Sequence, residues 1–261
     1  MDIEVFRRKK RQFTIFALVM VGITLLSSKM TDFDFIHSLL SIPEAFKWMA
    51  SNLFITSESL EKMPSIMDKL FETIFLSIAA TTTASVFSLL LALLGSQTTK
   101  VNNIFSTLSR LIASVFRNIP IVAWALILLL SFGQNALTGY FALFLATLGF
   151  LTRAFTETID ETGKASVEAL QATGANYFQV VAKAVIPECS PQIISWILFM
   201  IETNIRSSTL IGILTGTGIG FAFDLYYKSM NYNVLSLITI SIVAVVIAIE
   251  LVSNYVRRVI L

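Results

Sequence analysis

The sequence predicts an all-α membrane protein with about six transmembrane helices and both termini in the cytoplasm. Three observations carry this. Apolar residues make up 55% of the chain against 14% charged, and the mean hydropathy is +0.77, a balance that soluble domains rarely show. Apolar runs near the length needed to span a hydrocarbon core, about 20 helical residues for roughly 30 Å, recur along the chain. Lysine and arginine gather between alternate runs, as the bias of basic residues toward the cytoplasm requires. In lipid every backbone donor and acceptor must be satisfied internally, so such runs form helices rather than open strands.

The first run, about Phe13 to Ser28, follows the basic cluster Arg7, Arg8, Lys9, Lys10 and Arg11. No small-x-small cleavage site follows it, so a retained helix is expected rather than a signal peptide. Next comes a polar stretch in which Asp32, Asp34, Glu44, Glu58, Glu61 and Asp68 oppose Lys29, Lys47, Lys62 and Lys69, and this reads as an external loop. Within it Phe46, Trp48, Met49, Leu53 and Phe54 stand among charged neighbours, as in a helix at the membrane surface or an amphipathic packing helix.

Further runs lie at about Leu70 to Gly95, Leu111 to Phe132, Ala136 to Phe155, Ile193 to Leu214 and Val234 to Val256. Pro120 removes a backbone donor and restricts Ile119, so a kink, or the start of the membrane portion, is expected there. The N-terminal cluster and Arg257 with Arg258 both belong inside, which requires an even number of crossings. The same alternation puts Lys100, Arg110, Arg153, Lys164 and Lys183 on the cytoplasmic side. Residues 1–69 then hold the basic segment, first helix and external loop, and residues 70–261 a five-helix core with a cytoplasmic segment at about 157–190.

Composition also narrows the chemistry. A net charge of +2 gives no sign of nucleic-acid binding. The single cysteine, Cys189, allows no intrachain disulfide and reads as a small packed residue. His37 is the sole histidine and falls in the external loop, and neither H-E-x-x-H nor G-x-S-x-G occurs, so no catalytic residue and no metal-ligand set is expected. Nor is there a G-x-x-x-x-G-K-[ST] loop to cradle ATP phosphates.

The most informative segment is ETIDETGKASVEALQATGANYFQVVAKAVIPECSP, beginning at Glu157. Strong helix formers fill Ser166 to Ala172, Gly174 permits a left-handed turn, and Tyr177 to Val185 resumes a helix that Pro187 is expected to stop. Two short helices meeting at a glycine would make a rigid lever, although an ordinary surface helix-turn-helix has the same spacing.

This segment resembles the E-A-A-x3-G-x9-I-x-L-P pattern of importer permeases, matching it at Glu168, Ala169, Gly174 and Pro187 and departing at Leu170, Ala184 and Ile186. From about Leu70 onward the chain is similar to the permease subunits of type I ATP-binding-cassette importers, and more narrowly to their phosphonate and phosphite branch. The narrower likeness rests on FRNIPIVAWALI at Phe116 to Ile127, on EALQATGANYFQVVAKAVIPE, and on ETNIRSSTLIGILTGTGIG at Glu202 to Gly220, which departs from the branch at Thr215 and Thr217. The resemblance implies a multi-pass protein of the bacterial inner membrane, working as two copies of this chain with two copies of a cytoplasmic ATPase and an external substrate-binding protein. It implies no cofactor in this chain, since ATP and Mg would be held by the ATPase, and it gives the coupling contact to Glu168, Ala169, Leu170, Gly174, Ala175, Tyr177 and Pro187. Importers of amino acids or methionine, and a secondary transporter, are the alternatives, the last weakened by the absence of repeated halves.

Charged groups inside the runs need an account, because each costs roughly 2.5 to 3.5 kcal/mol on insertion scales. Arg117, Glu202, Arg206 and Glu250 are such groups. Glu202 and Arg206 are spaced to pair on one helix face, which a structural salt bridge would explain. Alternatively Arg117 and Arg206, with Asn118, Pro120, Glu202, Asn204, Ser207, Ser208 and Thr209, line a path for an oxyanion, guiding it without holding it tightly. Thr81, Thr82, Thr83 and Ser85 read as close helix packing, and Gly212, Gly216, Gly218 and Gly220 as a flexible gate at the outer end of the fifth helix.

Overall fold

The computed structural model describes residues 3–162 and 164–260, with the side chains of residues 3–6 and 164 outside that description; Gly163 and Lys164, both in the predicted cytoplasmic segment, are affected. The chain divides into two units at Leu53 and Phe54. The first holds helix α1 (Ile3–Met30), the short α2 (Phe35–Leu40) and α3 (Ile42–Asn52). Asp34 opens α2 by accepting the His37 backbone N–H at 2.9 Å, and Pro43 sits in the first turn of α3, where its missing donor is free of cost.

The second unit begins with a one-turn helix, α4 (Ser57–Leu60), closed by a reciprocal cap between Thr56 and Ser59. It continues through α5 (Met63–Gly95), α6 (Asn103–Asn118), α7 (Ile121–Phe132) and α8 (Ala136–Thr162). The segment predicted to be cytoplasmic forms α9 (Lys164–Ala172) and α10 (Tyr177–Val180), then α11 (Ile186–Thr215), α12 (Gly218–Lys228) and α13 (Tyr232–Ile260) complete the unit. Met63, Ile66, Met67 and Leu70 pack with Val234, Leu237 and Ile238 of α13. Among the described residues, five helices are long and apolar enough to span a membrane, and the α6–α7 pair, bent by 91°, can supply a sixth span.

That bend realises the expected effect of Pro120. Ile119 takes extended angles (φ −87°, ψ 119°), and the Pro120 carbonyl restarts the helix by accepting from Ala123 and Trp124. One face of α5 is a stripe of small residues, Ser77, Ala80, Thr81, Ala84, Ser88, Ala92 and Gly95, all buried, and this lets α8 lie close alongside. Of the predicted packing residues, Thr81 is buried and Thr83 meets the Tyr140 hydroxyl at 2.6 Å, whereas helical rotation turns Thr82 away, its hydroxyl donating to its own helix. α6 crosses α8 so tightly that a β-carbon at Gly149 would lie 2.5 Å from the Arg117 backbone nitrogen.

Pro187 departs from expectation. The helix runs on through it, because Val181–Val185 forms a π-helical turn in which Ile186 N–H bonds the Val181 carbonyl, five residues back. The widened turn makes room for the ring of Pro187 one residue further on, so α10 continues into α11 as one helical path from Tyr177 to Thr215.

Candidate functional site

The predicted lever is built from two caps placed back to back. Gly174 stands at φ +82°, its N–H bonded to Gln171 O at 3.0 Å and the N–H of Ala175 to Leu170 O at 3.3 Å, the paired bonds of a left-handed glycine stop. Asn176 then opens the next helix, its side chain accepting from Gln179 N while the Gln179 side chain accepts from Asn176 N, each at 2.9 Å. Val167, Val180, Ala184, Val185 and Cys189 of this elbow bury themselves against Leu151, Phe155 and Ile159 of α8 and Ala92 of α5. Each of the three valines so buried contributes on the order of 1.5–3 kcal/mol, so the elbow is welded to the bundle rather than hung from it. Leu170 and Ala175 face this core, whereas Glu168, Ala169, Gly174, Tyr177 and Pro187 are exposed. Phe178, which the sequence reading missed, is 80% exposed and packs edge-on against Tyr177, so the elbow presents an aromatic pair outward.

Further along α11, a polar seam joins three helices. The Asn204 amide donates to Thr81 Oγ1 at 2.8 Å and Thr147 Oγ1 at 2.7 Å, and the Ser77 and Ser208 hydroxyls lie 2.6 Å apart. Glu202 is 8% exposed and serves two arginines: Oε1 meets Arg206 at 2.8 Å and Oε2 meets Arg257 of α13 at 3.4 Å. Arg257 also donates to Ser253 Oγ at 2.9 Å, and its buried Nε has no hydrogen-bond partner among the described residues. Arg117 lies elsewhere, lining a groove between α6 and α8, while Asn118 donates back to Ser114 O within α6.

At the far end, Gly216 (φ +70°) terminates α11 and α12 folds back over it. The first N–H groups of α12 are received by α5, Gly218 N donating to Glu72 Oε1 at 3.1 Å and Ile219 N to Thr73 Oγ1 at 2.8 Å. Gly212 and Gly220 form the crossing, since a β-carbon on Gly220 would fall 2.0 Å from Thr209 O. Gly212, Gly218 and Gly220 are therefore closely packed.

Residues 84–260 match the family of binding-protein-dependent transport system inner membrane components. The chain belongs to this family. Among curated relatives of this permease, the phosphite transport system permease protein PtxC of Stutzerimonas stutzeri is 32% identical over 72% of this chain and 69% of its own length. The phosphate-import permease protein PhnE of Mycolicibacterium smegmatis is 28% identical over 73% of this chain, a match that spans only 36% of that relative. Among solved structures, an inward-facing MetNI methionine ABC transporter superposes with a TM-score of 0.69 at 19% identity, covering 77% of this chain and 98% of that one, a likeness that shows the fold.

Of the residues the sequence grouped into one path through the permease, the structure joins Glu202 to Arg206 and adds Arg257, but seats Arg117 and Asn118 on α6. Asn204 and Ser208 are buried, Ser207 and Thr209 half-buried, and the Arg206 side chain is 51% exposed. Arg257 had no signal in the sequence beyond its charge at a helix end.

Proposed function

We propose that this chain is the membrane-spanning subunit of an ATP-driven importer of the bacterial inner membrane, carrying phosphite, a phosphonate or a related phosphorus oxyanion. The observation that carries this reading is the 32% identity to a phosphite transport permease across 72% of the chain, which includes the elbow. The geometry supports the coupling role. A cytoplasmic ATPase dimer docks on the exposed Glu168, Ala169, Gly174, Tyr177 and Pro187, with Leu170 and Ala175 setting the shape beneath. Because the second arm of the elbow is continuous with α11, a push there moves a membrane helix directly. The energy and any nucleotide chemistry belong to that ATPase, which holds ATP and Mg, so this chain needs no cofactor of its own. A second copy of this chain completes the pathway, and an external binding protein delivers the solute.

Within the membrane, Arg206 is the side chain placed to meet the oxyanion. Glu202 holds it by one nitrogen while half its surface stays open, and with Arg257 the trio carries one net positive charge. Half-neutralised in this way, Arg206 attracts an anion without trapping it. The close packing of Gly212, Gly218 and Gly220, with the left-handed Gly216 ending α11 between them, makes the α11–α12 corner the element that opens and shuts the outer end, moving as one piece. The test is uptake of phosphite, methylphosphonate, phosphate and methionine by a strain lacking this chain, with and without its restoration. Loss and recovery of phosphite or phosphonate uptake supports the reading, and loss of methionine uptake alone overturns the substrate.

A further inference from the structure

We propose that the groove between α6 and α8 is a binding site for a phosphate-bearing anion, drawn either from the headgroup of an anionic lipid or from a free oxyanion. The cavity is about 320 Å³ and brings together Arg110 and Arg117 from α6 with Thr152, Arg153, Glu157 and Asp160 from α8. Three guanidinium groups face two carboxylates, so one positive charge is left over. The pairing shows where it resides. Arg153 is bound to Glu157 at 2.6 Å. Asp160 is largely committed to the α5–α6 turn, Oδ1 accepting from Ser96 Oγ at 2.5 Å and from Thr98 N at 3.1 Å, and Oδ2 reaches Arg110 only at 3.8 Å. Arg117 has no carboxylate partner among the described residues.

A second and independent observation concerns a residue that lines the same groove. Thr152 is 1% exposed, yet its hydroxyl has no hydrogen-bond partner among the described residues. A helical threonine normally donates to the carbonyl four residues back, as Thr156 does to Thr152 O at 2.7 Å. For Thr152 that carbonyl is Leu148 O, which already receives Ser88 Oγ at 3.2 Å. Its donor is left for an occupant of the groove. A buried polar group without a partner calls for a missing one.

Guanidinium donors in a planar fork, together with a hydroxyl, suit a group with several oxygens in a tetrahedral array. The neighbouring face of α6 exposes Leu108, Leu111 and Val115, so one wall of the groove continues into apolar surface along which acyl chains could run. The site rests on this geometry alone and not on which solute the permease carries.

The experiment uses the full chain in nanodiscs and two probes. One is spin-labelled phosphatidylglycerol titrated into phosphatidylcholine discs, and the other is inorganic phosphate followed by ³¹P line broadening in discs without anionic lipid. The expected result is saturable binding of at least one probe, weakened about tenfold or more by R117Q, several-fold by T152V, and less by R117K. Dependence on the lipid probe identifies a headgroup site, and dependence on phosphate a free-oxyanion site. T152V keeps shape and breaks no hydrogen bond among the described residues, so it carries the test even where R117Q fails to fold. Binding that is absent for both probes, or indifferent to T152V and to any folded Arg117 variant, overturns the proposal. Failure of phosphite uptake in the strain test would leave this binding untouched, so the two readings fail separately.

Discussion

Replacing Gly174 by alanine isolates backbone strain from packing. At φ +82° an L-residue is strained, and no atom of the described residues lies within 4 Å of where the new β-carbon would sit, so no steric clash with them adds to the cost. The penalty is therefore that of one left-handed non-glycine residue, about 1–2 kcal/mol. A penalty of that size lowers the ratio of intact to opened elbow by a factor of about 5–30 without reaching the membrane core. Gly174→Asn, tolerated better in this region, should cost less, and Gly174→Val more, so the series Gly, Asn, Ala, Val ranks the effect by backbone preference alone. The assay is limited proteolysis of the 171–177 segment in the purified chain, alongside transport per ATP hydrolysed in the assembled importer. Cleavage should rise and coupling fall in that order, with the melting temperature of the bundle little changed. Equal proteolysis and coupling across the series would refute the claim that the left-handed glycine fixes the elbow.

Other substitutions test the seams between helices. Glu202→Gln leaves Arg257 beside a neutral amide and should destabilise the purified chain by about 2–3 kcal/mol, less than the roughly 3–5 kcal/mol for breaking a fully buried pair because Arg206 is half exposed. Arg206→Ala should leave assembly and melting nearly intact while lowering oxyanion uptake; if assembly fails first, the residue is structural only. Asn204→Ala removes two hydrogen bonds between helices and should cost about 1–2 kcal/mol in thermal unfolding, at roughly 0.6 kcal/mol or somewhat more per bond within a membrane. Gly220→Ala should force α12 off α11 and sharply reduce folded yield, whereas Gly22→Ala, with nothing within 4 Å of the added carbon, should be neutral or slightly stabilising.

Several features were legible in the sequence because they are local. The apolar runs mark membrane helices since the bilayer tests each segment's backbone and side chains where they stand, whatever lies beside them. Gly174 and Pro120 announced a turn and a bend, since each acts through its own φ or its own missing donor. Pro187 was misread for want of one fact that spacing does not carry, namely that the preceding turn had widened to a π-helix and could house the ring. Thr82 was misplaced for a related reason, since a run of hydroxyl residues does not say which of them the helix turns toward its neighbour.

The choice of partners lay wholly in the tertiary structure. The sequence paired Glu202 with Arg206 by the helical repeat, and only the packing of α13 on α11 brought in Arg257 from 55 residues away. It grouped Arg117 and Arg206 by charge in apolar surroundings, and the fold alone shows Arg117 lining a groove with Thr152, whose hydroxyl has no partner among the described residues. Hydrophobicity and caps are properties of a segment and can be read along it. Which charges meet depends on the rotation, register and crossing of whole helices, here fixed by contacts such as Gly149 on Arg117 and Gly220 on Thr209, which form only once the bundle has closed.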